Sequence, residues 1–167
     1  MKLKENNYAF IDSQNVNLGI QSMGWSIDWK RFRVYLLEKY QVSTAYIFVG
    51  YLPQNQKLYS YLQKCGYVII FKPVLPDTKG EVKGNVDADL VLQAMIDFQN
   101  YDKAIIVTSD GDFYSLVKYL YEQNKLLKVL SPYVKTCSVL LKKTAKEKMV
   151  FMDNLRQKLE YKRKSTA

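Results

Sequence analysis

Short apolar runs alternate with helix-like stretches along most of this chain, and that rhythm narrows the possible folds more than any other feature. Tyr8-Ala-Phe-Ile-Asp12, Thr44–Leu52, Tyr67–Leu75, Lys103–Ser109 and Lys125–Leu130 are rich in Val, Ile, Phe and Tyr, as strands buried on both faces are. Between them lie helical patterns. Asp28 is placed to cap a helix to about Tyr40 with Trp29, Phe32, Leu36 and Leu37 on one face. A second helix begins after Pro53, turns Leu58, Tyr61 and Leu62 inward, and ends at Gly66. A third runs from Asp87 to about Tyr101 with Leu90, Val91, Ala94, Met95 and Phe98 inward, and a fourth from Phe113 to about Gln123. Asp12 to Trp25 reads as a polar loop, and the polar, glycine-containing stretch from Pro76 to Asn85 reads as the best candidate for a mobile segment. After Ser131-Pro132 the pattern is helical, over Cys137–Lys148 and Asp153–Lys162, with a short apolar step at Met149–Met152 between them. Strand and helix alternating in this way predict an α/β domain with a mostly parallel sheet covered by helices on both faces.

The expected organisation is one domain over residues 7–152 and a basic helix and tail over 153–167. The chain has 167 residues, 48% of them apolar, enough for one core. No apolar run approaches the roughly 20 residues of a membrane span, and the polar stretch Met1–Asn7 is not a signal peptide. Cys65 and Cys137 have no metal or redox spacing and read as reduced thiols, consistent with a cytoplasmic protein.

Histidine is absent. That removes Ser-His-Asp and Cys-His nucleophilic catalysis, imidazole acid–base chemistry and zinc sites built on imidazole. The net charge is +9, and the segment Lys142–Lys164 alone carries nine Lys/Arg against Glu147, Asp153 and Glu160. A basic chain with a basic end suits a polyanion such as nucleic acid, and equally a well-solvated surface.

In open parallel sheets ligands bind beyond the carboxyl ends of the strands, where the strand order reverses. Aspartates gather at that edge: Asp12 ends the first strand, Asp87 opens the helix that leads into the fourth, and Asp110 and Asp112 follow the fourth around Gly111. Each alone has a plain alternative as a turn or helix cap. Together they form a crevice of like charges, and a hard cation such as Mg²⁺ or Mn²⁺ resolves the repulsion because carboxylate and water oxygens are its preferred ligands. Such an ion activates water and stabilises phosphoryl displacement.

Other residues lie in reach of that crevice. Asn15, one turn past Asp12, is placed to orient a carboxylate or water, or to cap a turn. Thr108 and Ser109 are placed to donate to a phosphate oxygen, or to satisfy the backbone. Asp89 is a possible additional acid, whereas Asp97 is expected to face solvent. Lys79 and Lys83 are candidate phosphate contacts, and Tyr133 and Lys135 candidate base and phosphate contacts.

Three motifs in order, FIDSQNV (Phe10 to Val16), KGNVDADL (Lys83 to Leu90) and VTSDGDF (Val107 to Phe113), resemble the NYN domain in its LabA-like branch, within the PIN-like nucleases. The resemblance runs from about Tyr8 to Leu130, and the helices that follow, with CSVLLKKTAKEK, resemble the usual ending of such proteins. It implies a three-layer PIN-like sheet of five strands in order 3-2-1-4-5 and metal-dependent hydrolysis of RNA. The family's first-strand aspartate falls on Asp12, its nearby Asn on Asn15, the aspartate after Lys-Gly on Asp87, and the aspartate pair on Asp110 and Asp112. Asn85 makes one of these spacings a residue longer than the common form. Near where many members carry a further acid in the third helix, Gln93 stands here, with Asp89 and Asp97 on either side.

The reading is a Mg²⁺- or Mn²⁺-dependent ribonuclease acting on RNA, single-stranded by preference. Asp12, Asp87, Asp110 and Asp112 would hold the metal, and Asn15 and Ser109 would position water or phosphate. Two rivals stand beside it: a PIN-like RNA- or protein-binding module that cuts little, and an aspartyl-phosphate domain. The second lacks a fifth-strand lysine followed by proline. Monomer and homodimer both remain open.

Overall fold

The computed structural model of the chain describes residues 3–76, 78–79, 82–83 and 86–165. Its strands are β1 (Asn7–Asp12), β2 (Val42–Gly50), β3 (Tyr67–Lys72), β4 (Leu75–Pro76), β5 (Val82–Lys83), β6 (Ala104–Val107), β7 (Leu126–Ser131) and β8 (Met149–Phe151). Six of them form one sheet in the order β3-β2-β1-β6-β7-β8, and every pairing in it is parallel. The expected order is therefore present, with a sixth strand added at one edge. β8 coincides with the apolar step at Met149–Met152, and it alternates as a strand does: Val150 packs towards one core, Met149 and Phe151 towards the other.

The helices are α1 (Ser13–Ser22), α2 (Trp29–Tyr40), α3 (Gln56–Lys64), α4 (Asp87–Ile96), α5 (Tyr114–Glu122), α6 (Val139–Ala145) and α7 (Arg156–Leu159). They divide between the two sheet faces, and β1 feeds both cores, with Ala9 and Ile11 on one side and Phe10 on the other. Val16, Ile20, Phe32, Leu36 and Leu159 fill the first core, and Leu90, Ala94, Phe113, Leu120 and Leu141 the second. Each such fully buried side chain contributes about 1.5–3 kcal/mol over its exposed state.

Helix α1 replaces the loop expected after Asp12. Its sequence, SQNVNLGIQS, has little helix propensity. Tertiary contacts decide the matter: the Asp12 carboxylate accepts from the amide of Asn15, and Val16 and Ile20 are fully buried against the sheet. Gly19 permits close packing, since a Cβ there would sit 2.8 Å from Pro132 Cγ. In α2 the expected Trp29, Phe32 and Leu36 and in α3 the expected Leu62 are buried, but Tyr40 and Tyr59 complete these faces, while Leu37, Leu58 and Tyr61 are each at least 40% exposed.

Two further expectations change. The C-terminal helix is short, Arg156–Leu159, and residues 159–161 are tied to α2 and the turn before it: the Asp28 amide donates to the Leu159 carbonyl at 2.7 Å and the Tyr161 amide to the Ser26 carbonyl at 2.8 Å. In the segment expected to be mobile, β4 and β5 pair antiparallel, Leu75 opposite Lys83; Asp77, Gly80, Glu81, Gly84 and Asn85 lie outside the described residues.

Candidate functional site

Strand order reverses between β1 and β6, because the chain lays β2 and β3 on one side of β1 and then crosses to the other. Asp12, the last residue of β1, and Asp110, three residues beyond β6, face that crevice from either side. Asp87 comes from the first turn of α4, whose N-cap, Val86, offers no side-chain hydrogen bond, so Asp87 is not itself the cap.

One oxygen from each of Asp87, Asp110 and Asp112 lies within 4.8 Å of the others, Asp87 and Asp110 half-buried and Asp112 exposed. Asp110 holds Asp112 by local chemistry: Asp110 Oδ1 accepts the Asp112 amide at 2.9 Å, capping a short 3-10 turn over Gly111–Phe113 that buried Phe113 anchors. Gly111 is required by its neighbour, since a Cβ there would meet Ser138 Oγ at far less than contact distance and Ser138 Cβ at 3.0 Å.

Asp12 lies outside that tight trio but lines the same cavity of about 330 Å³ as Asp87 and Asp110. It is 6% exposed. Burial pushes its carboxyl up to about 6, and the charges of Asp87 and Asp110 push the same way, against the Asn15 amide and the Thr108 hydroxyl that stabilise the anion. Thr108 Oγ1, fully buried, donates to Asp12 Oδ2 at 3.3 Å and accepts the Asp110 amide at 3.1 Å. One hydroxyl thus spans the carboxylate of one strand end and the backbone of the next, while Asp12 Oδ1 also caps α1.

Asn15 Oδ1 accepts the Ser109 amide at 2.7 Å. The Ser109 hydroxyl is buried, 3.0 Å from the Ser131 hydroxyl, and its carbonyl accepts the Ser138 amide at 3.0 Å. Asn15, Ser109, Asp110, Thr136 and Ser138 line a second cavity of about 380 Å³ on the other side of Asp110. Ser138 escaped sequence reasoning; its one legible signal is its position ahead of α6, which it caps through the Leu141 amide.

The remaining candidates stand apart from the trio. Asp89, in the first turn of α4, is not among the carboxylates gathered within 4.8 Å. Asp97 is buried rather than solvent-facing: it accepts from Tyr46 Oη at 2.7 Å, Gln93 Nε2 at 2.8 Å and Asn100 Nδ2 at 3.0 Å. Burial alone would raise its pKa, and these three bonds outweigh that and lower it. Gln93 is thereby committed to this structural network. Lys79 is exposed in the turn between β4 and β5, and Lys83 belongs to β5. Half-buried Tyr133 and exposed Lys135 follow β7, next to the Thr136 that lines the second cavity, but neither lines either cavity.

Comparison with known proteins agrees with this architecture. The model of the NYN domain family matches residues 8–153. The chain is 26% identical over 133 residues to "Low amplitude and bright protein LabA" of Synechococcus elongatus, covering 73% of this chain and 71% of that one. A crystal structure of a protein of unknown function from Vibrio parahaemolyticus superposes with a TM-score of 0.78 at 23% identity, covering 96% of this chain and all of the other, which shows a shared fold. No helix among the described residues is long and apolar enough to cross a membrane.

Proposed function

This chain belongs to the NYN domain family, and from that premise we propose that it is a Mg²⁺- or Mn²⁺-dependent ribonuclease that hydrolyses RNA phosphodiester bonds. The observation that carries the proposal is the approach of three carboxylates, Asp87, Asp110 and Asp112, to within 4.8 Å beside a fourth, Asp12, whose pKa burial pushes up to about 6.

The donor set fits a hard divalent ion. Oxygens around one Mg²⁺ at about 2.1 Å lie at most about 4.2 Å apart, and the trio's oxygens all lie within 4.8 Å of one another, so a modest inward shift of the side chains would bring them onto one ion. All the donors are oxygens, and no imidazole or thiolate competes for a softer metal. The ion would neutralise the crevice and lower the proton affinity of water for attack on phosphorus. The chain's own residues supply the rest. Thr108 orients Asp12, Asn15 holds the Ser109–Asp110 backbone in place, and Gly111 lets Asp112 turn back to the same point. Ser109, with Asn15, is assigned to positioning water or phosphate through the loop it belongs to. Lys79, Lys83 and Lys135 are assigned to phosphates and Tyr133 to a base of single-stranded RNA, with the basic C-terminal segment adding charge attraction. Two free thiols support a reducing, cytoplasmic setting.

A second reading, an RNA- or protein-binding module that cuts little, is favoured by one observation: Gln93, near where the resemblance puts a further acid, is an amide committed to Asp97, and Asp89 is not among the carboxylates gathered with the trio. Cleavage of a labelled single-stranded RNA with Mn²⁺ or Mg²⁺ separates the two. Cleavage abolished by EDTA and by Asp110→Asn supports the ribonuclease. RNA bound equally by wild type and mutant, and never cut, leaves the binding module.

A further inference from the structure

The carboxyl end of β2 opens, between α1 and α3, into a cavity of about 550 Å³, within the usual range of small-ligand sites. Its walls are mostly apolar, from Val49, Leu18 and Leu58 among others, and no Lys, Arg, Asp or Glu lines it. At its rim stand the amides of Asn17, Gln54 and Asn55. Among the described residues, no hydrogen bond engages these side chains. Leu18 and Leu58 are 60% and 41% exposed, large apolar groups left to solvent at the mouth. The floor is rigid: the Tyr59 hydroxyl accepts the Leu52 amide at 2.9 Å and donates to the Gly50 carbonyl, and its ring packs 4.8 Å from Phe71.

The cavity adjoins the aspartate crevice. Gln14 and Leu18 line both, and Asp12 pairs in register with Phe48, two residues before Gly50 on the neighbouring strand, one strand spacing of roughly 5 Å away. A neutral apolar slot offers phosphate or metal no counter-charge to offset lost hydration. It suits a planar, uncharged group with donors and acceptors on its edge, and such a group attached to a phosphate in the next cavity is a nucleobase.

We infer that this cavity is a base-binding subsite, taking the nucleobase next to the phosphate held at the aspartates, with Leu18 and Leu58 against its faces and Asn17, Gln54 and Asn55 at its edge. This deepens the ribonuclease reading and rests on it, yet base binding needs no metal and is measurable apart from cleavage.

The test is NMR titration of the full-length ¹⁵N-labelled protein in EDTA with uridine and adenosine 5′-monophosphates, and with ribose 5-phosphate for comparison. The side-chain amide signals of Asn17, Gln54 and Asn55 are expected to shift with a nucleotide and not with the sugar phosphate. Leu58→Glu is expected to abolish the shifts while preserving the backbone spectrum; should that variant not fold, Asn55→Ala is expected to weaken them severalfold. No shift at millimolar nucleotide, equal shifts with ribose 5-phosphate, or shifts undiminished in the folded variant would overturn the subsite. Nucleotide shifts without Mn²⁺-dependent RNA cleavage would keep the subsite and remove the nuclease; cleavage without shifts would do the reverse.

Discussion

Asn15 Oδ1 accepts the backbone amide of Ser109 at 2.7 Å across 94 residues of sequence, and this bond joins the helix after β1 to the loop after β6. It fixes the backbone next to Asp110. Asn15→Ala leaves the part-buried Ser109 amide without its acceptor, at a cost of about 1–3 kcal/mol. Urea unfolding is expected to register that loss. RNA cleavage at a temperature where the variant is fully folded is expected to fall at least tenfold, because Asp110 loses its register. Unchanged cleavage in a destabilised variant would make Asn15 a purely structural residue.

Asp12 gives the metal-free protein a distinctive pH dependence. Its folded carboxyl titrates near 6, above its ordinary value of 3.8, so the folded state binds the proton more tightly than the unfolded one. This group's contribution is fully present below about pH 4 and is lost as pH rises through 6, by about 3 kcal/mol in all. Urea denaturation in EDTA should therefore show Asp12→Asn gaining stability over wild type at pH 7.5 and little of that gain at pH 4.

The same titration governs the ion. Protonated Asp12 cannot serve a cation, so Mn²⁺ affinity measured by calorimetry is expected to weaken below pH 6 and level off above it. A flat profile from pH 5 to 8 would separate Asp12 from the ion.

Ion binding should raise thermal stability. At a hundredfold excess over its dissociation constant an ion contributes about 2.7 kcal/mol, or roughly 5–10 °C in Tm for a chain of this size. The shift is expected with wild type and absent with Asp110→Asn. Gly111→Ala, which drives a methyl into Ser138, is expected to remove most of it.

Asp97 offers a contrast within the same set of acids. Asp97→Ala removes the acceptor of the Tyr46 hydroxyl and of the Gln93 and Asn100 side-chain amides, so a destabilisation of about 2–4 kcal/mol is expected. Mn²⁺ affinity of the folded variant should be unaltered; a large fall would reassign Asp97 to the ion.

The fold was legible in the sequence because buried parallel strands leave continuous apolar runs, as in Phe10-Ile11 and Ile105-Ile106, and the strand-end acids could be placed from those runs alone. What was not legible came from partners distant in the chain. Helix α1 lacks charged residues and a strong apolar face, and its packing on Pro132 is invisible locally. Strand β8 has three residues and gains its identity by pairing with β7. Asp97 has the spacing of an exposed helical residue, and its burial depends on Tyr46 from β2. Thr108 and Ser109 were recognisable as polar strand-end residues, but not that one hydroxyl faces Asp12 and the other Ser131.

The close packing of Gly19 on Pro132 and the donation from the Ser138 amide to the Ser109 carbonyl also set when the site comes into being. On the ribosome, Asp12 precedes Ser138 by 126 residues, and the groups that brace the Asp110 loop are made only as synthesis passes Ser138. At about 5–20 residues per second, several seconds separate the first carboxylate from the last brace. The nascent chain therefore carries Asp12, Asp87, Asp110 and Asp112 without this brace until Ser138 has been made.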